Sequence, residues 1–175
     1  MHLTSEYRTL WATFDTPVDY LHKPIQVSPN TYRAHFKVGP LAYVLTIKRK
    51  LPPGKSDIHY TIIFEYKDVV VPEGETLATV LSELYGKPLT DDGAWALYNK
   101  MASESTGVLG VKTGFRVFSA VIKLLREYLG DKQWDCLEFS SYPESRTDLY
   151  RYLVQKFFPG HQVNERSLEY AACPR

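Results

Sequence analysis

The stretch WDCLEFSSYPESRTDLYRYLVQKFF, from Trp134 to Phe158, carries most of the information about the fold. Its first six residues form a short apolar run suited to a central strand, and a helix is predicted to follow. Ser145 and Asp148 have the spacing of a capping box, which marks the start of such a helix. Tyrosines and arginines lie among its leucines, so we expect this helix to border a cleft.

The strongest helix pattern lies just before this stretch. FRVFSAVIKLLREYL, residues 115–129, has a wide apolar face, and Gly130 ends it. The opposite face is predicted to be solvated and carries Arg116, Ser119, Lys123 and Arg126. HQVNERSLEYAAC is predicted to be a final strand or a hairpin. An alternation of strand and helix from Gly107 onward implies a right-handed crossover and at least one parallel strand pair.

Residues before position 70 alternate between apolar and polar with a period of two. The alternation covers 32–38, 43–50 and 58–66, and Gly39-Pro40 separates the first two runs. Three antiparallel strands in sequence form a meander. We therefore predict an α+β, or mixed α/β, fold whose mixed β-sheet has an antiparallel meander followed by β-α-β-α-β and is flanked by helices.

The length of 175 residues predicts a single domain over 1–175. Residues 1–31 are predicted to form an N-terminal arm with a short helix and a Pro-bearing loop. Residues 72–105 form a predicted helical insertion, with one helix over 73–85 and a second from about Thr90. The second helix has a stripe of Trp95, Tyr98 and Met101, and a strand over AWALYNKM is the alternative. Residues 107–160 are the predicted β-α-β-α core.

The composition excludes a strong global electrostatic preference. The chain has 21 basic and 20 acidic residues and a formal charge of +1, so binding to nucleic acid would need a local patch, and we expect no membrane partner. The N-terminus does not have the pattern of a signal peptide. Cys136 and Cys173 are far apart and lack metal-ligand spacing, so neither a disulfide framework nor a zinc site is indicated. These features predict a cytoplasmic protein in a reducing compartment.

The connector VKTGFRVF is the first candidate for chemistry. Gly114 directly before a strong helix would leave the first N–H groups of that helix free to hold phosphate. Lys112, Thr113 and Arg116 would add to this attraction. The alternative is an ordinary glycine at the start of a helix.

Other candidates have polar side chains on predicted strands and helices. Tyr150 could be a general acid toward a leaving thiolate, or a tyrosine at the rim of the core. His35 and His59 lie on polar strand faces, and because no carboxylate or thiol completes a metal triad at recognisable spacing, we expect surface histidines and no metal. A further set of cations on the strands either binds a phosphate backbone or is only solvated: Arg33, Lys37, Lys48, Arg49 and Lys50.

The segments VKTGFRVFSAVIKLLREYL, CLEFSS and SRTDLYRYLVQKFF together resemble the acyl-CoA-binding half of GNAT-type N-acetyltransferases. More closely, they are similar to a group of GNAT-like proteins of tailed bacteriophages with a "TG…VFxxVI" helix followed by "FSA…SR…LY". That pattern falls on Thr113, Gly114, Val117, Phe118, Val121, Ile122, Phe139, Ser140, Ser145, Arg146, Leu149 and Tyr150.

The resemblance implies a splayed mixed sheet with pantetheine between two diverging strands and the cofactor pyrophosphate at the start of the Phe115 helix. Tyr150 would be the general acid, and Glu65 is the nearest carboxylate that could deprotonate an amine. The residues implied to bind acetyl-CoA are Lys112, Thr113, Gly114, Phe115, Arg116, Ser140 and Arg146.

Two functional hypotheses follow from the resemblance. The first is an acyltransferase that moves an acetyl group from acetyl-CoA to an amine acceptor. The second is a catalytically inactive phage accessory or virion-associated protein that uses the fold to bind a viral or host protein. An antagonist of host defence is a third hypothesis. The protein would then be found in the host-cell cytoplasm or in a phage particle.

Overall fold

The computed structural model describes residues 17–50, 58–104, 110–140, 156–158, 161–166 and 169–174. Within these ranges the strands are β1 (Asp19–Ser28), β2 (Thr31–Val38), β3 (Leu41–Lys50), β4 (His59–Val69), β5 (Cys136–Ser140), β6 (His161–Arg166) and β7 (Glu169–Pro174). The helices are α1 (Leu77–Tyr85), α2 (Asp91–Glu104) and α3 (Gly110–Leu129). The strands form one sheet in the order β1-β2-β3-β4-β5-β7-β6.

The sheet is mixed, so the fold is mixed α+β as predicted. Two-residue connections join β1 to β2 and β2 to β3, and connections this short require antiparallel neighbours. β4 and β5 are parallel, whereas β7 runs antiparallel to both β5 and β6. A parallel pair is present, but it joins β5 to β4, which precedes Gly107, and not to a strand of the alternation predicted from Gly107 onward. The C-terminal segment forms the hairpin that was the alternative to a single final strand.

Strand β1 occupies part of the segment that we predicted to be a Pro-bearing loop, and for residues 19–28 that prediction is wrong. Pro24 lies inside the strand, which is tolerated because β1 is at the edge of the sheet. Ile25 is 52% and Val27 44% exposed, so no buried face imposes a readable alternation on this strand. The predicted short helix before it lies outside the described residues.

The chain forms two compact units that are assembled from discontinuous segments. Among the described residues, the first unit contains those within 17–23, 35–44 and 65–121. The second contains those within 24–34, 45–64 and 122–174. The prediction of a single domain therefore stays a prediction.

Each unit contains an aromatic cluster on an inward face that the strand alternation predicted. In the first unit, the ring centroid of Tyr43 lies 5.6 Å from that of Phe36 and 6.0 Å from that of Tyr66. In the second, the ring centroid of Tyr128 in α3 lies 4.5 Å from that of Tyr32 and 6.1 Å from that of Tyr60. Aromatic rings at these separations contribute both buried area and a favourable ring geometry.

The ends of α1 follow from its local sequence. Thr76 caps the first turn, because its hydroxyl oxygen accepts a hydrogen bond from the Thr79 amide at 3.2 Å. Gly86 closes the helix with φ of 65°.

The segment that was predicted to be a helical insertion contains two helices, α1 and α2. α2 begins at Asp91, so the alternative of a strand is excluded there. The predicted apolar stripe is partly wrong, because Trp95 is 57% exposed.

Helix α3 begins at Gly110, five residues earlier than predicted. A single glycine costs an α-helix only about 1 kcal/mol, so Gly114 is accommodated within the helix instead of preceding it. Most of the predicted apolar face is buried, but Ser119, which was predicted to be solvated, is buried as well. None of the helices in the described part of the chain has both the length and the apolar character needed to cross a membrane.

Candidate functional site

A polar cluster lies where the parallel strands β4 and β5 begin. The Ile58 amide donates to Oδ2 of Asp135 at 2.7 Å, and the Asp135 amide donates to the Ile58 carbonyl oxygen at 2.9 Å. This reciprocal pair sets the register of the two strands, which places Thr61 opposite Glu138. Directly opposite residues leave the same face of a sheet, so the register brings the polar side chains of both strands together.

Glu138 is the centre of this cluster. Its Oε1 lies 3.2 Å from Nδ1 of His59, and its Oε2 accepts a hydrogen bond from the Thr61 hydroxyl at 3.2 Å. Lys50, on β3, has its Nζ 3.5 Å from Oε2. Both oxygens of the Glu138 carboxylate therefore have hydrogen-bond partners, and the Lys50 ammonium forms an ion pair with one of them.

The surroundings of Glu138 favour its ionised form. Partial burial alone would raise the pKa of the Glu138 carboxyl, but the His59 hydrogen bond, the Lys50 charge and the Thr61 hydrogen bond together lower that pKa below its ordinary value. An ionised carboxylate only accepts hydrogen bonds, so Nδ1 of His59 must be the donor. In a neutral imidazole, Nε2 then carries the free lone pair.

The free lone pair of His59 is enclosed by the protein. The His59 side chain is 15% exposed, and Nε2 is buried without a hydrogen-bond partner among the described residues. Buried polar atoms usually have a partner, and an exception needs an explanation. A histidine that a carboxylate orients and whose second nitrogen is free has the arrangement of a general base.

Cys136, the register partner of His59, is disulfide-bonded and 6% exposed. No disulfide framework was predicted from sequence, because the two cysteines lie far apart in the chain, so the disulfide at Cys136 corrects that expectation.

The residues predicted to hold the cofactor lie mostly on α3, and their role in binding acetyl-CoA stays a prediction. Gly114 lies inside the helix, where its amide bonds to the carbonyl of Gly110 one turn earlier, so this amide is not the free donor that we expected. Thr113 lies in the first turn of α3. Lys112 and Phe115 lie in the first two turns of α3, and Arg116, which follows them, is exposed. Ser140 is the last residue of β5.

The predicted catalytic residues are Glu65 and Tyr150, and the structure describes only the first of them. Glu65 is an exposed residue of β4. Arg146 and Tyr150 lie outside the described residues. His35 contacts Lys67, with Nδ1 3.3 Å from Nζ. No group of three or more potential metal ligands occurs within the described ranges.

Sequence reasoning missed Glu138 and Cys136 and treated His59 as a surface residue. The sequence did contain one indication of the cluster. Glu138 is a carboxylate in a mostly apolar run, WDCLEF, and a carboxylate in a central strand needs a partner. The identity of the partner could not be read, because His59 lies 79 residues away. No protein-family model, curated protein or solved structure matches this chain, so the interpretation of the cluster rests on its geometry.

Proposed function

We propose that the protein is a GNAT-like acyltransferase that moves an acetyl group from acetyl-CoA to an amine, with His59 as the general base. The His59–Glu138 pair is the observation that carries this proposal. The amine nitrogen attacks the thioester carbonyl and gives its proton to Nε2 of His59. The CoA thiolate leaves and takes a proton from Tyr150, the general acid that the family resemblance implies.

His59 suits this role better than Glu65, the carboxylate that sequence considerations favoured. Glu138 holds the imidazole in the tautomer whose Nε2 can accept a proton, and Lys50 and Thr61 keep Glu138 ionised and oriented. Glu65 is an exposed residue of β4, and no hydrogen bond to His59 or Glu138 positions it in the cluster. The amine substrate must reach Nε2 of His59, which is buried. Substrate binding therefore has to move the protein atoms that cover this nitrogen.

The strand arrangement also supports the proposal. β4 and β5 are parallel and pair from His59↔Cys136 to Ile62↔Phe139. Ile63 and Phe64 follow in β4 without a β5 partner in that register. A parallel pair that ends while one strand continues agrees with the diverging strands between which the resemblance implies pantetheine. His59 and Glu138 lie at the paired end of these strands.

A second candidate function is favoured by the start of α3. Because the helix begins at Gly110, the amide of Gly114 is engaged within it. The chain also lacks the Arg/Gln-x-x-Gly-x-Gly/Ala loop of GNAT enzymes, of which Gly110 and Gly114 alone remain. These observations favour a catalytically inactive accessory protein that binds a viral or host partner.

Calorimetric titration with acetyl-CoA and with CoA separates the two candidates. The acyltransferase proposal predicts saturable binding of both ligands. Absence of binding at millimolar concentrations would exclude the enzyme and leave the accessory protein. This experiment needs no knowledge of the acceptor.

If acetyl-CoA binds, replacing His59 tests the chemical step. His59→Gln should lower the rate of acetyl transfer to an amine panel by about 100-fold or more, which is the usual contribution of a general base, and leave acetyl-CoA affinity nearly unchanged. His22→Gln, at an exposed position of β1, is the matched control and should retain the full rate. An equal loss in both variants, or a loss of affinity alone in His59→Gln, would remove His59 from the mechanism.

A further inference from the structure

An aromatic pair lies on the surface of α2. Trp95 and Tyr98 are three residues apart, so both project from one side of the helix. Their ring centroids are 5.6 Å apart and their planes are inclined at 80°, so the two rings form the walls of a corner. Trp95 is 57% exposed, which leaves ring surface open to a ligand.

The carboxylate of Asp68 is hydrogen-bonded to this pair. The Tyr98 hydroxyl donates to Oδ1 of Asp68 at 3.0 Å, and the Val69 amide donates to the same oxygen at 2.7 Å. These two hydrogen bonds hold the carboxylate in place, whereas Oδ2 accepts none from the described residues. A fixed negative charge therefore lies beside the aromatic pair.

The part of the chain that contains this group is strongly acidic. Residues 65–104 include eight acidic and three basic side chains, a net charge of −5, whereas the whole chain has a formal charge of +1. Asp91 and Asp92, in the first turn of α2, lie four and three residues before Trp95 and are its neighbours on the helix surface. A local excess of negative charge attracts cations.

The phenols near Asp68 respond to this negative charge. Burial raises the pKa of Tyr66, and electrostatic repulsion from Tyr98, Asp68 and Tyr85 raises that pKa further. The hydrogen bond to Asp68 is the main cause that raises the pKa of the Tyr98 hydroxyl. Both phenols therefore stay neutral at neutral pH, and the negative charge beside the rings belongs to Asp68.

We propose that Trp95, Tyr98 and Asp68 form a binding site for an alkylammonium group. The negative faces of the two rings attract the cation, and Oδ2 of Asp68 is its counter-ion. The acidic surroundings disfavour an anionic ligand, and a neutral ligand would not use the carboxylate. This inference does not depend on the acyltransferase proposal, because it requires neither acetyl-CoA nor His59.

Titration with choline tests the site against two controls. One control is the neutral alcohol in which a carbon atom replaces the nitrogen of choline, and the other is sodium chloride at the same ionic strength. We expect choline chloride to shift the indole N–H NMR signal of Trp95 saturably at millimolar concentrations. The signal of Trp134, which packs against Phe158, should not move. An equal shift of the Trp95 signal with the alcohol or with the salt would overturn the proposal.

Two variants separate the charge of Asp68 from the general acidity of the segment. Asp68→Asn keeps an oxygen that accepts from Tyr98 and Val69 but removes the charge, and it should weaken choline binding about threefold or more. Glu83→Gln, at an exposed position of α1, removes the same charge from the same segment and should leave choline binding nearly unchanged. Equal weakening in both variants would assign the binding to the general field and contradict the site.

Trp95→Leu tests the aromatic wall. Because Trp95 is exposed, this replacement should preserve the fold. Choline binding, followed by the NMR line width of the choline methyl groups, should weaken about threefold or more, and full retention would contradict the proposal. A peptide with one trimethyllysine identifies the source of the ammonium group. Affinity equal to that of choline indicates a small free cation, and tighter binding indicates a lysine side chain of a protein.

Discussion

The hydroxyl of Thr61 and the carboxylate of Glu138 meet across the parallel strands β4 and β5, with Oγ1 3.2 Å from Oε2. The same carboxylate reaches His59 through its other oxygen, also at 3.2 Å. Residues of two strands that are distant in sequence therefore share one hydrogen-bonded unit. Because strands position this unit, its geometry depends on the strand register more than on loop conformation.

Glu138→Gln should make the chain less stable at neutral pH and remove part of the pH dependence of its stability. The glutamine keeps the shape but loses the charge that holds His59 and Lys50, and we expect the free energy of unfolding to fall by about 1 kcal/mol. Urea denaturation followed by tryptophan fluorescence at several pH values measures this difference.

The sign of the pH effect follows from the lowered pKa of Glu138 in the folded protein. Between its folded and unfolded pKa values the unfolded chain binds more protons, so lowering the pH destabilises the fold. The difference between the parent chain and Glu138→Gln should thus be complete above the ordinary carboxyl pKa and vanish below the folded pKa. A difference that is constant with pH would mean that the Glu138 charge does not stabilise the fold.

Loss of the Cys136 disulfide should lower the free energy of unfolding by about 2–4 kcal/mol, because the unfolded chain is no longer constrained by a closed loop. Denaturant titrations with and without reductant measure this loss. Cys136→Ser should reproduce the effect of reduction, and its stability should not respond to reductant. A reductant-sensitive stability in this variant would show that another reaction is responsible.

Most of the sheet could be predicted from sequence because a half-buried strand must alternate. Ala34 and Phe36 were predicted on one face of β2 and are fully buried, whereas Arg33 on the other face is exposed. The alternation fails for β1, an edge strand with exposed Ile25 and Val27. The sequence pattern also does not locate the start of α3, because Gly114 is compatible both with a position inside a helix and with a loop before one.

The site could not be predicted in the same way. His59 and Glu138 meet only because β5 lies parallel to β4, and the sequence does not encode which strands become neighbours in any local pattern. The predicted roles of Glu65 and Tyr150 came from a family resemblance, and they stay predictions.

Gly86→Ala should destabilise the chain by about 1 kcal/mol, because Gly86 ends α1 with φ of 65° and an L side chain is strained there. No neighbouring atom lies within 4 Å of an added Cβ, so the cost should come from the backbone conformation alone. Gly86→Asn is the matched control and should cost less, since asparagine tolerates this region. Thermal unfolding of the three chains measures the order, and an alanine variant as stable as the parent would contradict it.

Asp135→Ala should destabilise the chain by about 1–2 kcal/mol, because it leaves the amide of Ile58 without its acceptor at the start of the β4/β5 pair. Asp135→Asn keeps an oxygen at the same place and should cost much less. Hydrogen exchange at the Ile58 amide separates local from general effects, and the amide should exchange faster in Asp135→Ala than in Asp135→Asn. Because the Ile58 and Asp135 backbones also set the register of His59 and Glu138, the alanine variant should shift the His59 NMR signals as well. If the Ile58 amide exchanges equally slowly in both variants, the carboxylate does not anchor the strand pair, and the register must be fixed by the apolar residues beneath it.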